Sequence, residues 1–239
     1  MKKHHHDVLG LALIDYQDTQ RNKEIVVRSP DFEEDIIPVP WYFRREDQLP
    51  ALESKALDLC RGRILDAGAG AGSHALILQD KGLDVTALDV SEGACKVMRE
   101  RGLNTVVHQD LFTLTGMRFD TVLMIMNGIG LVGTVAGLKS FLGRLPLLLN
   151  PGGQVIFDST NLIYLLQQED GSILMNLNEV YFGEIEYQLE YEGFISEPFG
   201  WLYIDFDTLE WLAEEAGLTA ELVAEGENMN YLATITYQA

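Results

Sequence analysis

Cysteine is scarce in this sequence, since Cys60 and Cys95 are the only two among 239 residues. A fold built on several disulfides is therefore not expected, and a reducing cytoplasm is the expected location. Long apolar runs are also lacking. The most apolar stretch, LGRLPLLL, contains Arg144 and Pro146 and is far shorter than a membrane-spanning helix. The amino-terminal residues show neither a long apolar core nor a small-residue cleavage site, so we expect no secretory signal and no membrane segment.

Basic residues are few as well. The chain has 17 Lys and Arg against 37 Asp and Glu, which gives a formal net charge of −20. A field of this sign repels phosphate backbones, so a long nucleic acid is not the expected partner. A neutral or cationic small molecule fits the charge better, although simple solubility explains most of the acidic excess.

A tract of three histidines, His4 to His6, stands near the amino terminus. Three adjacent side chains cannot all face one ion from a regular helix or strand. No cysteine or carboxylate is spaced to complete a coordination sphere. We therefore expect a solvated terminus and no metal site.

From about Gly62 onward, five apolar segments of strand length alternate with helical patterns. The segments are RILDAG, DVTALDV, NTVVHQD, FDTVLMIMN and GQVIFDS. Ser73, Ser91 and Thr134 stand where helices are expected to begin, and Pro146 is expected to kink or divide the third helix. Alternation of this kind predicts an α/β fold in which a doubly wound parallel sheet carries helices on both faces. Ligands of such sheets bind beyond the carboxyl ends of the strands.

The flanking segments differ from this core. Residues 1–60 are predicted to form an N-terminal helical cap of the same domain, with helices in DVLGLALIDYQ and DQLPALESKALDLC around the irregular PVPWYFRRED. Residues 61–239 are predicted to form the main domain, with a β insert after the fifth strand at about 161–206. In the insert, GEIEYQLEYEG alternates with period two, which predicts a strand with one covered face, and GWLYIDF is its expected antiparallel partner. A helix from Asp207 to Gly217 and the strands LTAELVAEG and NYLATITYQ are predicted to follow.

Glycines alternate with alanines directly after the first core strand, in ILDAGAGAG. Glycine permits positive φ and lets the backbone approach a ligand closely, and a strand–turn–helix unit offers backbone amides to that ligand. The spacing is not the dinucleotide pattern G-x-G-x-x-G, because Ser73 stands where the third glycine would be. A P-loop is not indicated either, because no Gly-Lys-Ser/Thr follows.

The stretch LDAGAGAG resembles the first motif of the class I, Rossmann-like S-adenosylmethionine-dependent methyltransferases, which is acidic-x-Gly-x-Gly-x-Gly after the first strand. The resemblance implies a mostly parallel seven-stranded sheet with an antiparallel last strand, and S-adenosylmethionine as the cofactor. It implies that Gly68, Ala69, Gly70 and Gly72 let the backbone pass close to the cofactor. Asp66 would orient this loop or receive the cofactor's ammonium group.

Further features follow in the same order as in that family, over residues 61–237 apart from the insert. Asp89 ends the second strand, where the family has an acid that binds both ribose hydroxyls, and Val90 follows it. HQDLF follows the third strand, so the resemblance implies that Asp110 accepts from the adenine amine and that Leu111 lines the adenine. The structural alternative for each aspartate is a helix cap or a solvated strand end. His108 is interpreted as part of its strand and not as a catalyst.

The segment after the fourth strand departs from part of the family. Members that methylate exocyclic amines carry an Asn/Asp-Pro-Pro-Tyr-like signature there, whereas this chain has MNGIGLVG. This difference, like the charge, argues against a nucleic-acid substrate. Asn127 is expected either to contact the cofactor's ammonium group or the substrate, or to start the turn with its side chain.

The remaining candidates lie in the cap, the fifth strand and the insert. The planar guanidinium of Arg44 suits the cofactor's carboxylate. The candidates for the substrate side are Tyr42, Arg45, Asp158 and Tyr203. Surface packing or a surface ion pair is the alternative for each of these residues. No catalytic residue is identified, because a base is needed only if the acceptor must lose a proton early.

The predicted function is methyl transfer from S-adenosylmethionine to a small molecule by in-line displacement. Three alternatives stay open on the sequence: a binding protein that does not react with the cofactor, an aminopropyl transferase, and an NAD-dependent reductase. No acidic cluster follows the fourth strand, which argues against the aminopropyl transferase. Ser73 in place of the third dinucleotide glycine argues against the reductase.

Overall fold

The computed structural model describes residues 3–30, 32–166 and 180–237. Within these residues the helices are α1 (Val8–Thr19), α2 (Ala51–Leu59), α3 (Ser73–Asp80), α4 (Glu92–Glu100), α5 (Val135–Leu148) and α6 (Phe206–Glu215). The strands are β1 (Lys3–His4), β2 (Glu24–Arg28), β3 (Asp35–Pro38), β4 (Arg63–Ala67), β5 (Asp84–Asp89), β6 (Val106–His108), β7 (Phe119–Met124), β8 (Leu149–Thr160), β9 (Glu184–Tyr191), β10 (Phe194–Ile195), β11 (Phe199–Leu202), β12 (Thr219–Glu225) and β13 (Asn230–Thr236).

Seven strands form the central sheet in the order β12-β13-β8-β7-β4-β5-β6. The five strands from β4 to β8 pair in parallel, whereas β13 runs antiparallel to both β8 and β12. The predicted doubly wound sheet with an antiparallel last strand is therefore confirmed. The carboxyl ends of β4, β5, β7 and β8 meet at one edge, which places the residues after each of these strands together.

Both faces of the central sheet are buried, which explains why its strands read as continuous apolar runs. Successive residues of β4 point to opposite faces: Leu65 packs in the cluster formed with α5 and α6, and Ile64 in the cluster formed with α2, α3 and α4. In β8, Phe157 packs in the first of these clusters and Ile156 in the second. Asp66 and Asp158 each come two residues after the members of the second cluster, so both lie on the α2–α3 side of the sheet.

The predicted helix starts are mostly confirmed. Ser91 caps α4 by accepting from the Ala94 amide, and Thr134 caps α5 by accepting from the Gly137 amide. Helix α5 continues through Pro146 to Leu148. Ser73 was wrongly predicted as a cap, because the cap position belongs to Gly72 and the Ser73 hydroxyl donates to the Tyr42 carbonyl over 2.7 Å.

A second sheet joins the insert to the amino-terminal segment. Its order is β1-β10-β9-β2-β3, and β11 pairs with β9 as a further antiparallel neighbour. The pairing of β9 with β11 is the one expected from the sequence. Strands β2 and β3 were not predicted, because they are short and because β2 pairs with β9 far along the chain while β3 pairs with β2. Part of the predicted insert, residues 167–179, lies outside the described residues.

No helix among the described residues is long and apolar enough to cross a membrane.

Candidate functional site

The glycine-rich turn after β4, which we call the elbow (residues 68–72), has the backbone that the sequence requires. Gly68, Gly70 and Gly72 have φ values of 75°, 55° and 79°, in the region that side chains disfavour. Neighbouring side chains also crowd the elbow, since a Cβ on Gly68 would stand 2.6 Å from Leu131 Cδ1. The Gly68 and Ala69 amides both donate to the Leu88 carbonyl, over 2.8 and 3.0 Å, so the elbow is attached to the end of β5.

Asp89 is the second anchor of the elbow. Its Oδ2 accepts from the Gly70 amide and its Oδ1 from the Ser91 amide, both over 2.8 Å. The residue is buried, and this burial raises its pKa although the amides of Ser91 and Gly70 act in the opposite direction. Each carboxylate oxygen keeps a further lone pair, which suits the hydroxyls of a diol. Val90, the next residue, is 64% exposed and lies at the open edge of the sheet.

Asp66 lies beneath the elbow and is only 3% exposed. Its Oδ2 is buried and has no hydrogen-bond partner among the described residues. Burial raises the pKa of this carboxyl to about 6, while the charge of His74 and the Ala75 amide lower it. A buried acceptor without a donor is costly, so this oxygen is suited to a donor that a ligand brings.

Arg44 is held inside the protein and does not extend into solvent. Its Nη2 lies 2.7 and 2.8 Å from the two carboxylate oxygens of Glu53, and its Nε donates to the Trp41 carbonyl. Glu53 Oε2 is also 2.7 Å from His74 Nε2. Burial raises the pKa of Glu53, but His74 and Arg44 outweigh it, so the pKa is lowered overall. Nη1 of Arg44 has no hydrogen bond among the described residues, so a ligand carboxylate at this guanidinium stays a prediction.

A 3₁₀ turn at Val39–Phe43 brings Tyr42 to the elbow. A Cβ on Gly70 would stand 3.2 Å from Tyr42 Cδ1. Burial and the charge of Asp89 raise the pKa of Tyr42 to about 12, so its hydroxyl stays protonated and can donate. Arg45 differs, since its side chain is 76% exposed and pairs with Asp47 at the surface.

The loop after β7 has a strained backbone. Met126 and Asn127 have φ values of 68° and 53°, and left-handed residues other than glycine cost about 1–3 kcal/mol each and concentrate at functional sites. The Asn127 side chain does not cap the 3₁₀ turn that follows; its Oδ1 accepts from Thr160 Oγ1 over 2.9 Å. Its predicted cofactor or substrate contact stays a prediction.

Asp158 stands behind this loop, near the end of β8. Its Oδ1 accepts from the Gly128 amide over 3.4 Å. Burial raises the pKa of Asp158 to about 6; the amides of Asn127 and Gly128 lower it and the charge of Glu53 raises it. The carboxyl is therefore able to change its proton near neutral pH, which is a property of groups that serve in binding or proton transfer.

Asp110 performs the structural role that the sequence left open. It is exposed, and its side chain accepts from the Phe112 amide over 2.7 Å, at the start of a short 3₁₀ turn. Leu111 beside it is buried. The adenine contacts of this pair stay a prediction. His108 lies on the surface with Nε2 2.9 Å from the Val90 carbonyl.

Aromatic side chains of the insert lie next to the turn of residues 128–132 and extend the candidate site from the elbow towards the second sheet. Trp201 of β11 lies so close to Gly130 that its indole nitrogen occupies the space of a Cβ. On the same sheet, Tyr187 lies with its ring 6.4 Å from those of Phe199 and Tyr203. The Tyr187 and Tyr203 hydroxyls are 3.2 Å apart, and burial raises the pKa of both. The turn of residues 128–132 thus connects the elbow, through Leu131, with the insert, through Gly130.

Sequence reasoning missed Glu53, His74 and Leu131. His74 follows the glycine motif by two residues, and this position in the first turn of a helix was the available signal. Glu53 lies in a helix of ordinary composition, so nothing local marked it. Across the described ranges, no group of three His, Cys, Asp or Glu side chains could hold a metal ion.

Comparisons with known proteins agree with this geometry. The sequence model of a family described as a methyltransferase domain matches residues 64–153. A crystal structure of an S-adenosylmethionine-dependent methyltransferase from Bacteroides fragilis, in complex with S-adenosyl-L-homocysteine, is 40% identical with a TM-score of 0.91, over 98% of this chain and 95% of that chain. No curated protein sequence matches significantly.

More distant structures share the fold alone. The CcbJ methyltransferase from Streptomyces caelestis is 19% identical with a TM-score of 0.57, over 81% of this chain and 95% of that chain. CalS10, an amino pentose methyltransferase from Micromonospora echinaspora, is 16% identical with a TM-score of 0.54, over 86% and 99% of the two chains.

Proposed function

Since the chain belongs to the class I S-adenosylmethionine-dependent methyltransferases, we propose that its methyl acceptor is a small molecule bound between the central sheet and the insert. S-adenosylmethionine is the methyl donor. The family therefore sets aside the NAD-dependent reductase, the aminopropyl transferase and the binding protein without activity. What remains to be assigned is the acceptor and the residues that receive it.

The residues of the elbow fit this donor. Three glycines with positive φ give it a bare backbone, Asp89 has lone pairs for the ribose hydroxyls, and Asp66 has a buried oxygen without a donor. Val90, Leu111 and Asp110 would lie along the nucleoside. These assignments follow from the residues that this chain places at the elbow and at the neighbouring strand ends.

One observation carries the acceptor proposal: the turn of residues 128–132 touches the elbow on one side and the insert on the other. Leu131 packs over Gly68, and Gly130 packs against Trp201. An acceptor that reaches a methyl group held at the elbow would therefore lie beside Trp201, Tyr187 and Tyr203. Side chains of this kind form walls for small ligands, with hydroxyl groups that fix orientation.

When bound, S-adenosylmethionine supplies an electrophilic methyl group on a positively charged sulfur. The chain's own contribution is alignment and exclusion of water, and alignment of two reactants contributes on the order of 7–11 kcal/mol. We expect Tyr42, Leu131 and Trp201 to cover the reactants, because they pack against Gly70, Gly68 and Gly130. Asp158 is the candidate to accept a proton from the acceptor, because its pKa of about 6 is close to neutral and a base works best near the operating pH.

The charge of the chain supports a small acceptor. A net charge of −20 opposes the approach of a nucleic acid, and buried carboxyls at Asp66, Asp89 and Asp158 add to that field at the site. A neutral or cationic molecule meets no such barrier.

The test is a screen of a metabolite extract with S-adenosylmethionine that carries a deuterated methyl group. Mass spectrometry should find the label in a small molecule, and the label should disappear with Asp89→Ala. Label only in the RNA, DNA or protein fraction would contradict the proposal.

A second measurement tests the insert. Trp201→Ala should raise KM for the acceptor that the screen finds and leave the affinity for S-adenosylhomocysteine unchanged. Trp211→Ala is the matched control, because Trp211 is 53% exposed on α6 and should change neither quantity. Equal behaviour of the two variants would remove the insert from the acceptor site.

A further inference from the structure

Four buried side chains form a row of alternating charge that runs from the amino-terminal segment to the elbow. Arg44 bonds both oxygens of Glu53, and Glu53 Oε2 lies 2.7 Å from His74 Nε2. The charge of His74 in turn acts on Asp66. We call these residues the charge row. Arg44, Glu53 and His74 have side-chain exposures of 13%, 8% and 9%, so their interactions are weakly screened.

The row ends at an acceptor without a donor. Asp66 Oδ2 is buried and unpartnered among the described residues, and the Ala75 amide lowers the pKa of this carboxyl. This amide belongs to the first turn of α3, where the cap residue Gly72 has no side chain to offer. The carboxyl of Asp66 is therefore influenced by the amide end of α3, and its Oδ2 is available to a ligand.

We propose that Glu53 and His74 are positioning residues for the cofactor: they maintain the charge of Asp66, whose available oxygen accepts a hydrogen bond from the α-ammonium group of S-adenosylmethionine. Neither positioning residue touches the cofactor. The proposal concerns donor binding alone and does not depend on the identity of the acceptor.

The groups around Asp66 determine how its ionisation depends on its neighbours. Burial is the largest influence and raises the pKa to about 6; His74 and the Ala75 amide lower it, and Asp89 raises it. Cys60, at the end of α2, also faces Asp66, but burial first and Asp66 second raise the pKa of its thiol to about 12. The thiol is therefore neutral at ordinary pH. Among these described neighbours, His74 is the one whose charge favours the ionised carboxylate.

This arrangement has a consequence for pH. A charged hydrogen bond to the ammonium group requires an ionised Asp66 and a protonated ligand amine, so the affinity for the cofactor should rise as pH increases through about 6 and fall again where the amine loses its proton. Without the charge of His74, the pKa of Asp66 moves further up, and the rise should occur at higher pH.

The experiment measures binding by calorimetry between about pH 5 and about pH 9. It compares S-adenosylhomocysteine with the thioether analogue in which hydrogen replaces the α-amino group. For His74→Gln, the midpoint of the pH profile should move upward for S-adenosylhomocysteine, with a loss of about tenfold in affinity near the original midpoint. The analogue should bind both proteins equally, because it has no ammonium group.

His108→Gln is the matched control, since His108 is exposed and bonds only the Val90 carbonyl among the described residues; its profile should follow the wild type. Glu53→Gln removes the negative charge that faces the imidazole while keeping the shape of the side chain. It should shift the profile in the same direction as His74→Gln, and it carries the test if His74→Gln does not fold. An unmoved midpoint in a folded variant would overturn the proposal. A loss of equal size for both ligands would do the same, because it would show that His74 supports the elbow as a whole.

Discussion

The Gly70 amide donates to Asp89 Oδ2 over 2.8 Å, which joins the elbow after β4 to the end of β5. The other oxygen of Asp89 accepts from Ser91, over the same distance. Because each oxygen can accept a second hydrogen bond, Asp89 can hold the elbow and still bind a ribose. One carboxylate thus shapes the loop and contributes to ligand binding.

Asp89→Ala should weaken the binding of S-adenosylhomocysteine by about 10- to 100-fold, which corresponds to one charged hydrogen bond of about 1.5–3 kcal/mol. The affinity is measured by calorimetry, and circular dichroism verifies the fold. Glu92→Ala provides the acidic control, because Glu92 is exposed at the start of α4, two residues after Val90, and is not proposed to bind the cofactor. Unchanged affinity in the folded Asp89 variant would remove Asp89 from the site.

Gly72→Ala should destabilise the protein more than Gly82→Ala does. Both glycines have positive φ, 79° and 84°, but a Cβ on Gly72 would stand 2.6 Å from Leu103 Cδ1 and 2.9 Å from Met98 Cγ, whereas nothing lies within 4 Å of Gly82. The backbone cost of about 1–2 kcal/mol applies to both. Crowding should add about 1–3 kcal/mol for Gly72 alone. Urea unfolding measures the difference, and equal values would show that Met98 and Leu103 repack without cost.

The central sheet was predictable because its signals are local. The strands from β4 to β8 contain apolar runs, and the crossover helices α4 and α5 have readable starts at Ser91 and Thr134. The glycine elbow was predictable for the same reason, since positive φ and close packing both require glycine within five consecutive residues.

The second sheet and the charge row were not predictable, because their partners are distant in sequence. Strand β2 is stabilised by β9, with Val26 paired to Glu190. Glu53 acquires its role only when α2 packs beside α3 and meets His74. Ser73 shows the reverse case: its sequence position suits a cap, but Gly72 occupies the cap position and the Ser73 hydroxyl donates to the Tyr42 carbonyl, 31 residues earlier.

Arg44→Ala should destabilise the protein by about 3 kcal/mol, because it removes one of the two partners, Arg44 and His74, that stabilise the buried Glu53 carboxylate. Arg45→Ala is the matched control: its ion pair with Asp47 is exposed and should change the free energy of unfolding by about 0.5 kcal/mol or less. The double variant Arg44→Ala with Glu53→Ala should cost less than the sum of the single variants. Additive costs would mean that the two side chains stabilise the fold independently.

Asp158→Asn should stabilise the protein at alkaline pH and have little effect in acid. Burial raises the pKa of Asp158 from 3.8 to about 6, so the folded state binds the proton more tightly than the unfolded state. The stability that this carboxyl contributes is complete below about pH 4 and is lost as pH rises through about 6, a change of about 3 kcal/mol by linkage. Asparagine does not titrate and still offers an oxygen to the Gly128 amide. The variant should therefore become more stable relative to the wild type as the pH rises through about 6.

Asp120→Asn is the control of opposite sign. The Arg63 amide first, and then the Asn150 side chain, lower the pKa of Asp120. The stability that Asp120 contributes is therefore complete above the pKa of the unfolded state, and it is lost as the pH falls through the lower pKa of the folded state. Urea unfolding at about pH 3, about pH 5 and about pH 8 should show the Asp120 variant losing stability relative to the wild type between the first two values, and the Asp158 variant gaining it between the last two. If both variants changed in the same direction, the general charge of this acidic chain, and not the environment of each carboxyl, would govern the pH dependence.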